Sequence, residues 1–261
     1  MSYFVIPMAG LSSRFFNAGY LIPKYQLYIK STTMFLWSVE SFKKYFNTDK
    51  FLFICRNVYE TPAFIKNEIS KISLNSYSVL VLEKETLGQA DTVYQGLAMM
   101  NLLNSDEDVY IFNIDSRIEF FEKPEYAENG EVDGYLEVFK SDGEHWSFVE
   151  PGANCSVLRT TEKIRISELC SDGLYYFKRI SDFAMIFEEM RRARQFNHNE
   201  LYIAPMYNSM IKNSSMNVKY RLVPRSKVII CGTPDEYRSM AKYYELTEKD
   251  NQSKLEIKAT K

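Results

Sequence analysis

Residues 3–14 read YFVIPMAGLSSR, an apolar run that passes directly into a turn of small residues. The run Tyr3–Met8 predicts a strand covered on both faces, because it lacks the polar alternation of a half-exposed strand. Its carboxyl end is where an open α/β sheet binds ligands, so backbone N–H groups of the turn can approach a phosphate chain. The turn residues predicted to do so are Ala9, Gly10, Leu11, Ser12 and Ser13.

Strand and helix patterns alternate through the first half of the chain. After the first strand, the predicted elements are a helix at Thr33–Phe46, a strand at Lys50–Cys55, a helix at Thr61–Ile72, a strand at Ser78–Leu82, a helix at Leu87–Leu103 and a strand at Val109–Asn113. This alternation predicts an α/β fold, Rossmann-like, with a doubly wound and mainly parallel sheet.

After Asp115 the pattern changes to short strands separated by turn signals, which predicts an antiparallel elaboration of the same, now mixed, sheet. The predicted elements are strands near Gly134–Phe139, Trp146–Glu150, Cys155–Arg159, Gly173–Phe177, Val218–Val223 and Val228–Ile230, with helices at Ser181–Arg194, at Ala204–Lys212 and after Pro234. No linker divides the chain. We therefore predict one domain over residues 1–246 and a polar tail over residues 247–261, either helical or disordered.

The composition excludes several classes of protein. A formal net charge of -2 over 261 residues predicts neither nucleic acid nor a membrane as a partner. The four cysteines have no CxxC spacing, which argues against a zinc ribbon and a disulfide framework. With no signal-peptide or membrane-span pattern, we expect a cytoplasmic protein. The two histidines are too few for a multi-histidine metal site, so a catalytic metal is expected to have oxygen ligands.

Three charged residues are candidates for phosphate chemistry. Arg14 and Lys24 can donate charge-assisted hydrogen bonds to phosphate oxygens, although their spacing alone fits two solvated surface charges equally well. Asp115 follows an apolar strand and should emerge near the turn, where it could hold Mg²⁺; the alternative is a turn residue or helix cap. Walker A and GxGxxG dinucleotide loops are both absent.

Motifs along most of the chain resemble the nucleotidyltransferase superfamily of sugar-phosphate pyrophosphorylases and cytidylyltransferases, which has a GT-A-like fold. The first two are Gly10–Arg14 and Pro23-Lys24. Later matches, in chain order, are Leu87–Val93, Ile114-Asp115, His145–Phe148, Glu162–Ser167, Gly173–Phe177, Tyr202–Asn208 and Gly232–Pro234. The chain is most similar to a group from capsule and lipopolysaccharide biosynthesis.

The resemblance implies a Mg²⁺-dependent enzyme that transfers a nucleotidyl group from an NTP to a small phosphorylated acceptor and releases pyrophosphate. CTP is favoured on the similarity of Ile6-Pro7 and Pro23–Gln26 to cytidylyltransferases, and the acceptor is a sugar phosphate or a capsule precursor such as phosphoglutamine. The implied contacts are Gly88, Gln89 and Ala90 with the nucleotide, Trp146, Ser147, Glu162 and Lys163 with the acceptor, and Arg14, Lys24 and Lys163 as catalytic cations. Ordinary alternatives are a helix-opening turn at Gly88, a surface Glu162-Lys163 pair and a structural His145.

One departure from the family pattern concerns the metal. Many relatives carry a second metal-binding aspartate just before the late Gly-Thr, but here residues 228–233 read VIICGT. Mg²⁺ would then be held by Asp115, the triphosphate and water, or by another carboxylate, or activity would be impaired.

Two rival functions are left open. One is a nucleotide-sugar glycosyltransferase, although Asn113-Ile114-Asp115 is only half of the DxD motif of that class. The other is a non-catalytic nucleotide-binding protein. The oligomeric state is left open, with a homo-oligomer as one alternative.

Overall fold

The computed structural model of the chain describes residues 1–193, 200–213 and 215–244. The strands are β1 Tyr3–Pro7, β2 Tyr28–Ile29, β3 Thr32–Thr33, β4 Lys50–Arg56, β5 Tyr77–Leu82, β6 Val109–Phe112, β7 Ser116–Ile118, β8 Gly134–Lys140, β9 Ser147–Pro151, β10 Val157–Glu162, β11 Leu169–Phe177, β12 Val218–Leu222 and β13 Val228–Ile230. The α-helices are α1 Ser13–Asn17, α2 Met34–Val39, α3 Thr61–Ile69, α4 Gln89–Met99, α5 Glu125–Glu128, α6 Ile180–Arg192 and α7 Tyr207–Lys212. Residues 234–244 are also helical, and the tail predicted over residues 247–261 lies outside the described residues.

One nine-stranded mixed sheet contains strands from both halves of the chain. Strands β5, β4, β1 and β6 lie side by side in that order and run parallel. Strand β11 continues the sheet antiparallel to β6, and β8, β9 and β10 extend it through further antiparallel pairs. The predicted α/β fold, mainly parallel with an antiparallel elaboration, is confirmed.

Alternate side chains of β1 face two separate cores. Tyr3 and Val5 are buried with apolar residues of α4, α6 and α7, whereas Phe4 and Ile6 are buried with residues of α2 and α3. Helices therefore cover both faces of the sheet, which explains why β1 is apolar on both sides. Each fully buried side chain of this kind contributes roughly 1.5–3 kcal/mol through removal from water.

The helix predicted at Thr33–Phe46 is interrupted. Helix α2 ends at Val39, and residues Glu40–Tyr45 form a 3₁₀ segment in which Phe42 leaves helical geometry, with φ −106° and ψ 20°. Phe42 is fully buried, and its ring centroid lies 4.7 Å from that of Phe4. Packing against the sheet therefore overrides the helical periodicity of this segment.

A small antiparallel pair brings the end of the chain to the sheet edge where β1 and β6 finish. Strand β13 pairs with β7 in the register Ile230 to Ser116, and the backbone N–H of Cys231 donates to the carbonyl of Asp115 over 2.8 Å. The helix at residues 234–244 follows directly and packs its apolar side against Met34 and Trp37. The late Gly232-Thr233 motif thus lies beside Asp115. Within the described residues, none of the helices is both long and apolar enough to cross a membrane.

Candidate active site

The loop after β1 turns sharply at Ser12, which has a left-handed backbone with φ 52° and ψ 26°. The Ser12 carbonyl accepts hydrogen bonds from the N–H groups of Phe15 and Phe16, at 2.9 and 3.2 Å. Its Oγ also accepts a 3.4 Å hydrogen bond from the backbone N–H of Lys24. At Gly10 no described atom beyond the two neighbouring residues lies within 4 Å of the position a Cβ would take. The loop therefore positions Lys24 and leaves its own backbone open to a ligand.

Lys24 and Asp115 form an ion pair in front of this loop. The Lys24 Nζ donates to Oδ2 of Asp115, with side chains 23% and 14% exposed. Asp115 comes two residues after Asn113, directly beyond β6, and β6 is the parallel neighbour of β1. Neighbouring parallel strands end at the same edge, which is why the loop and the carboxylate meet.

The turn before α4 closes the other side of the loop. Gly88 has φ +118°, and a Cβ there would lie 2.8 Å from the backbone N and O of Leu201. The next residue, Gln89, donates from its side-chain amide to Oδ1 of Asn113. In contrast to Gly88 and Gln89, Ala90 has a fully buried side chain, and its N–H donates to the Leu201 carbonyl over 3.0 Å. Gly88 and Gln89 face the space in front of the loop, and Ala90 anchors the turn.

Two adjoining cavities occupy this edge of the sheet. The loop cavity, of about 470 Å³, lies between the loop after β1 and the turn at Gly88. The hairpin cavity, of about 340 Å³, lies between that loop and the hairpin of β9 and β10. Both volumes are in the range of small-molecule sites. Among the sequence-predicted residues, the loop cavity is lined by Ala9, Gly10, Leu11, Ser12, Ser13, Arg14, Lys24, Gly88, Gln89 and Asp115.

Of the predicted residues, Arg14, Lys24, Gln89 and Asp115 line both cavities. They therefore form the wall between the two spaces. The hairpin cavity adds Trp146, Ser147, Glu162 and Lys163. Every predicted site residue except Ala90 thus lines at least one cavity.

The hairpin residues are held by hydrogen bonds within the cavity wall. Ser147 Oγ donates to Glu162 Oε2, and Lys163 Nζ donates to the hydroxyl of Tyr202 over 2.6 Å. Lys163 has a left-handed φ of 56°, and its N–H donates to the Trp146 carbonyl over 2.9 Å. This backbone turn at the end of β10 directs the ammonium group into the cavity.

Two carboxyl groups lie together at the inner end of the hairpin cavity, beneath its surface. Asp172 lines the cavity, is 1% exposed, and accepts a 3.0 Å hydrogen bond from the Leu174 N–H at Oδ1. Burial raises the pKa of Asp172 to about 7. Burial, and then the Asp172 charge, raise the pKa of Glu137 well above its ordinary range, although Arg221 lies 3.3 Å from Oε2. The pair therefore retains a proton at pH values where exposed carboxyls are ionised.

Solved structures identify the family. A nucleoside-diphosphate-sugar pyrophosphorylase from Vibrio cholerae RC9 is 41% identical to this chain, over 92% of this chain and 99% of that one, with a TM-score of 0.85. The chain belongs to the nucleotidyltransferase family. The resemblance to nucleotidyltransferases inferred from the motifs is confirmed, and the protein is an enzyme of that class.

Two cytidylyltransferases share the fold of this nucleotidyltransferase at lower identity. The inositol-1-phosphate CTP transferase of T. maritima is 15% identical over 93% of this chain and 96% of that one, with a TM-score of 0.68. The CTP:phosphocholine cytidylyltransferase of Streptococcus pneumoniae is 13% identical over 93% and 98%, with a TM-score of 0.70. Identities this low show the shared fold alone. No protein-family model matches the sequence, and neither does any curated protein.

The carboxylates of this nucleotidyltransferase fit a divalent cation beside Gly232. A Cβ at Gly232 would lie 3.2 Å from Oδ2 of Asp115 and 3.7 Å from Oε2 of Glu236. Glycine therefore lets two carboxylates approach the backbone closely, and all three residues line the hairpin cavity. Oxygen donors of this kind suit Mg²⁺, which takes one or two protein carboxylates and completes its shell with phosphates and water.

Several residues that were not predicted as site residues also line these cavities. Glu200 and Tyr202 line both of them, and Asp172 and Glu236 line the hairpin cavity. Burial and the neighbouring Glu200 raise the pKa of Tyr202. Glu236 had a visible signal, because Thr233 followed three residues later by Glu is a helix capping pattern. His145, predicted to be structural, also lines the hairpin cavity, with Nε2 3.9 Å from Oε1 of Glu236.

Proposed function

We propose that this enzyme transfers CMP from CTP to a small phosphorylated acceptor and releases pyrophosphate, for the synthesis of a capsule or another surface polysaccharide. The CTP would occupy the loop cavity, with its triphosphate along Ala9–Ser13 and its base against Gly88 and Gln89. The acceptor would occupy the hairpin cavity.

The observation that carries the proposal is the wall between the two cavities, which contains Arg14, Lys24 and Asp115. A transfer reaction needs the donor and the acceptor phosphates to meet at one point, and both would meet at this wall. Two cations there can hold phosphate oxygens from both sides. The adjoining cavities therefore support group transfer between two bound molecules more directly than simple nucleotide binding.

In the proposed reaction an acceptor phosphate oxygen attacks the α-phosphorus of CTP. The new P–O bond forms as the bond to the β-phosphate oxygen breaks, and pyrophosphate leaves with that electron pair. Arg14 and Lys24 stabilise the charge that develops on the phosphoryl oxygens, while Lys163 holds the acceptor phosphate. That phosphate is already ionised near neutral pH, so no side chain has to remove a proton. A Mg²⁺ ion at Asp115 would neutralise charge on the triphosphate.

The acceptor is proposed from the chemistry of the hairpin cavity. Lys163 supplies a cation for a phosphate, while Glu162 and the Ser147 hydroxyl supply groups for a polar body. A sugar phosphate fits this set, and so does a phosphorylated capsule precursor such as phosphoglutamine. The preference for CTP rests on Ile6-Pro7 and Pro23–Gln26.

We further propose that residues 1–246 act as one domain in the cytoplasm, where nucleoside triphosphates are made. Pairing of β6 from the first half with β11 from the second half in one sheet supports a single domain.

The test is a pyrophosphate-release assay with each of the four NTPs and Mg²⁺ against a panel of sugar 1-phosphates, phosphocholine and phosphoglutamine. We expect release with CTP and one class of phosphorylated acceptor, and none when the acceptor is dephosphorylated. Release that is faster with another NTP would contradict the choice of CTP. If no pair releases pyrophosphate while a nucleotide sugar is consumed with a glycan acceptor, the proposed reaction is wrong.

A further inference from the structure

The second carboxylate that many relatives place before the late Gly-Thr is absent from residues 228–233 of this chain. Ile230, in that stretch, lines the hairpin cavity with an apolar side chain. Cys231 is fully buried, and a sulfur atom is a poor ligand for a hard cation. On the proposed function, in which a divalent cation lies at Asp115, any further protein ligand must therefore come from elsewhere in the chain.

Glu236 is brought to this place by the way the last described helix begins. The Thr233 N–H donates to Glu236 Oε2 over 2.9 Å, and the Glu236 N–H donates to Thr233 Oγ1 over 3.3 Å. This reciprocal pair of hydrogen bonds is a capping box. Pro234 follows in the first helical turn, where proline is favoured. The capping box holds the Glu236 side chain back toward Gly232, whereas a glutamate without this cap would extend into solvent.

The carboxylates of Asp115 and Glu236 border the same open space. Oδ2 of Asp115 and Oε2 of Glu236 both lie within 4 Å of the position a Cβ would take at Gly232. Asp115 Oδ2 is paired with Lys24, and Glu236 Oε2 accepts the capping hydrogen bond from the Thr233 N–H. The other oxygen of each carboxylate accepts no hydrogen bond from any residue that the structure describes. His145 Nε2 lies 3.9 Å from Glu236 Oε1.

We propose that Glu236 is the second carboxylate ligand of the divalent cation that Asp115 binds with the NTP. It takes over the task of the missing aspartate from a position on the opposite side of Gly232. Two carboxylates and the triphosphate form the kind of oxygen set in which proteins hold Mg²⁺. The rival role for Glu236 is capping alone, with no contact to the cation.

Glu236→Gln separates these two roles. Glutamine serves as well as glutamate at the third position of a capping box, so the helix start is retained while the negative charge is lost. Asp235→Asn is the matched control, because Asp235 lies in the same helical turn with a side chain 90% exposed and paired to Arg238. Asp115→Asn is the positive control for loss of a ligand.

The measurement is Mn²⁺ binding to the full chain by electron paramagnetic resonance, with and without CTP or the NTP that the wild type prefers. We expect Glu236→Gln to weaken NTP-dependent Mn²⁺ binding at least about tenfold, as loss of a metal-site residue does, with an unchanged melting temperature. Asp235→Asn should bind as the wild type does. Adding Ile230→Asp to Glu236→Gln should recover part of the lost affinity, because it returns a carboxylate to the stretch before Gly232.

Wild-type Mn²⁺ affinity in Glu236→Gln overturns the inference and leaves the proposed function standing, provided that Asp115→Asn loses the ion. A wild-type protein that binds no Mn²⁺ with any NTP overturns the metal site at Asp115 as a whole. Failure of Glu236 as a ligand and failure of the metal site at Asp115 therefore give different results in the same experiment.

Discussion

Lys24 is the residue on which the proposed chemistry depends most. Its ammonium group is paired with Asp115 at the wall shared by both cavities. We expect Lys24→Ala to lower the turnover of pyrophosphate release by about a hundredfold or more, since loss of one group that stabilises the transition state has that order of effect.

The control for Lys24→Ala is Lys66→Ala, an exposed change on α3 away from both cavities. Circular dichroism should show the wild-type fold for both variants. If the turnover of Lys24→Ala stays within a factor of about two of the wild type, Lys24 is not part of the mechanism. Loss of a catalytic cation should have a far larger effect.

The placement of the charged residues could be predicted from sequence only in part. Arg14 and Asp115 could be predicted because each follows an apolar strand, and the two strands end at one edge of a parallel sheet. Lys24 lies beyond α1 and could be predicted only from the Pro23-Lys24 motif. The capping pattern of Thr233 and Glu236 is visible in the sequence, but its position beside Asp115 is not, and neither is the approach of Tyr202, because both depend on how distant segments pack. Strand periodicity carries no information on either.

The turn before α4 gives a test at the level of elements. A Cβ at Gly88 would lie 2.8 Å from the backbone of Leu201, and its φ of +118° disfavours any other residue. We expect Gly88→Ala to destabilise the fold by about 1–3 kcal/mol through overpacking and backbone strain. Thermal unfolding measures the loss.

Gly10→Ala is the matched change in the loop. Nothing lies within 4 Å of its Cβ position, so the melting temperature should change little, whereas nucleotide affinity should fall because the methyl group blocks approach of the phosphates. Equal destabilisation by both substitutions would show that Gly10 is required for the fold in the same way as Gly88.

The contact between β8 and β11 gives a prediction on pH. Burial raises the pKa of Glu137 well above its ordinary range and that of Asp172 to about 7. The unfolded chain releases these protons near pH 4, while the folded chain retains them, so the folded state binds more protons above that pH. The contribution of the pair to stability is therefore full below about pH 4 and is lost as the pH rises toward 7 and beyond.

Glu137→Gln removes one of the two carboxyl groups with little change of shape. We expect the melting temperature of this variant to rise relative to that of the wild type as the pH is raised from 5 to 8. Scanning fluorimetry across that range measures the difference. Glu125→Gln, an exposed change on α5, should show no such trend. If Glu137→Gln instead loses stability as the pH rises, Glu137 is ionised and held by Arg221, and its assigned pKa direction is wrong.

Strands were easier to predict than helices in this chain. Every predicted strand exists: strands such as β1, β4 and β6 are buried apolar runs, whereas β10 and β12 carry polar residues and were marked by the turn signals around them. The helix predicted at Thr33–Phe46 was wrong past Val39, because the buried Phe42 is fixed by packing on the sheet and not by helical periodicity. The two-residue strands β2 and β3 have too few residues to produce a pattern.

At the level of the whole molecule, the fold follows from the order of its strands. Four parallel strands with helices on both faces form an edge where β1 and β6 end, and the antiparallel strands β9 and β10 add a second wall opposite that edge. The two cavities lie between these parts. The sequence could predict both parts separately; it could not predict that Arg14, Lys24 and Asp115 would form a wall common to both spaces, since that depends on how the loop and the hairpin pack.

In the proposed reaction a nucleotidyl group passes across this wall to an acceptor phosphate. The most direct test supplies CTP labelled with ³²P at either the α- or the γ-phosphate, together with Mg²⁺ and the acceptor that supports pyrophosphate release. We expect α-label in the acceptor product and γ-label in pyrophosphate, in equal amounts. Transfer of γ-label to the acceptor, or release of α-label as free CMP with no labelled product, would contradict the proposed reaction.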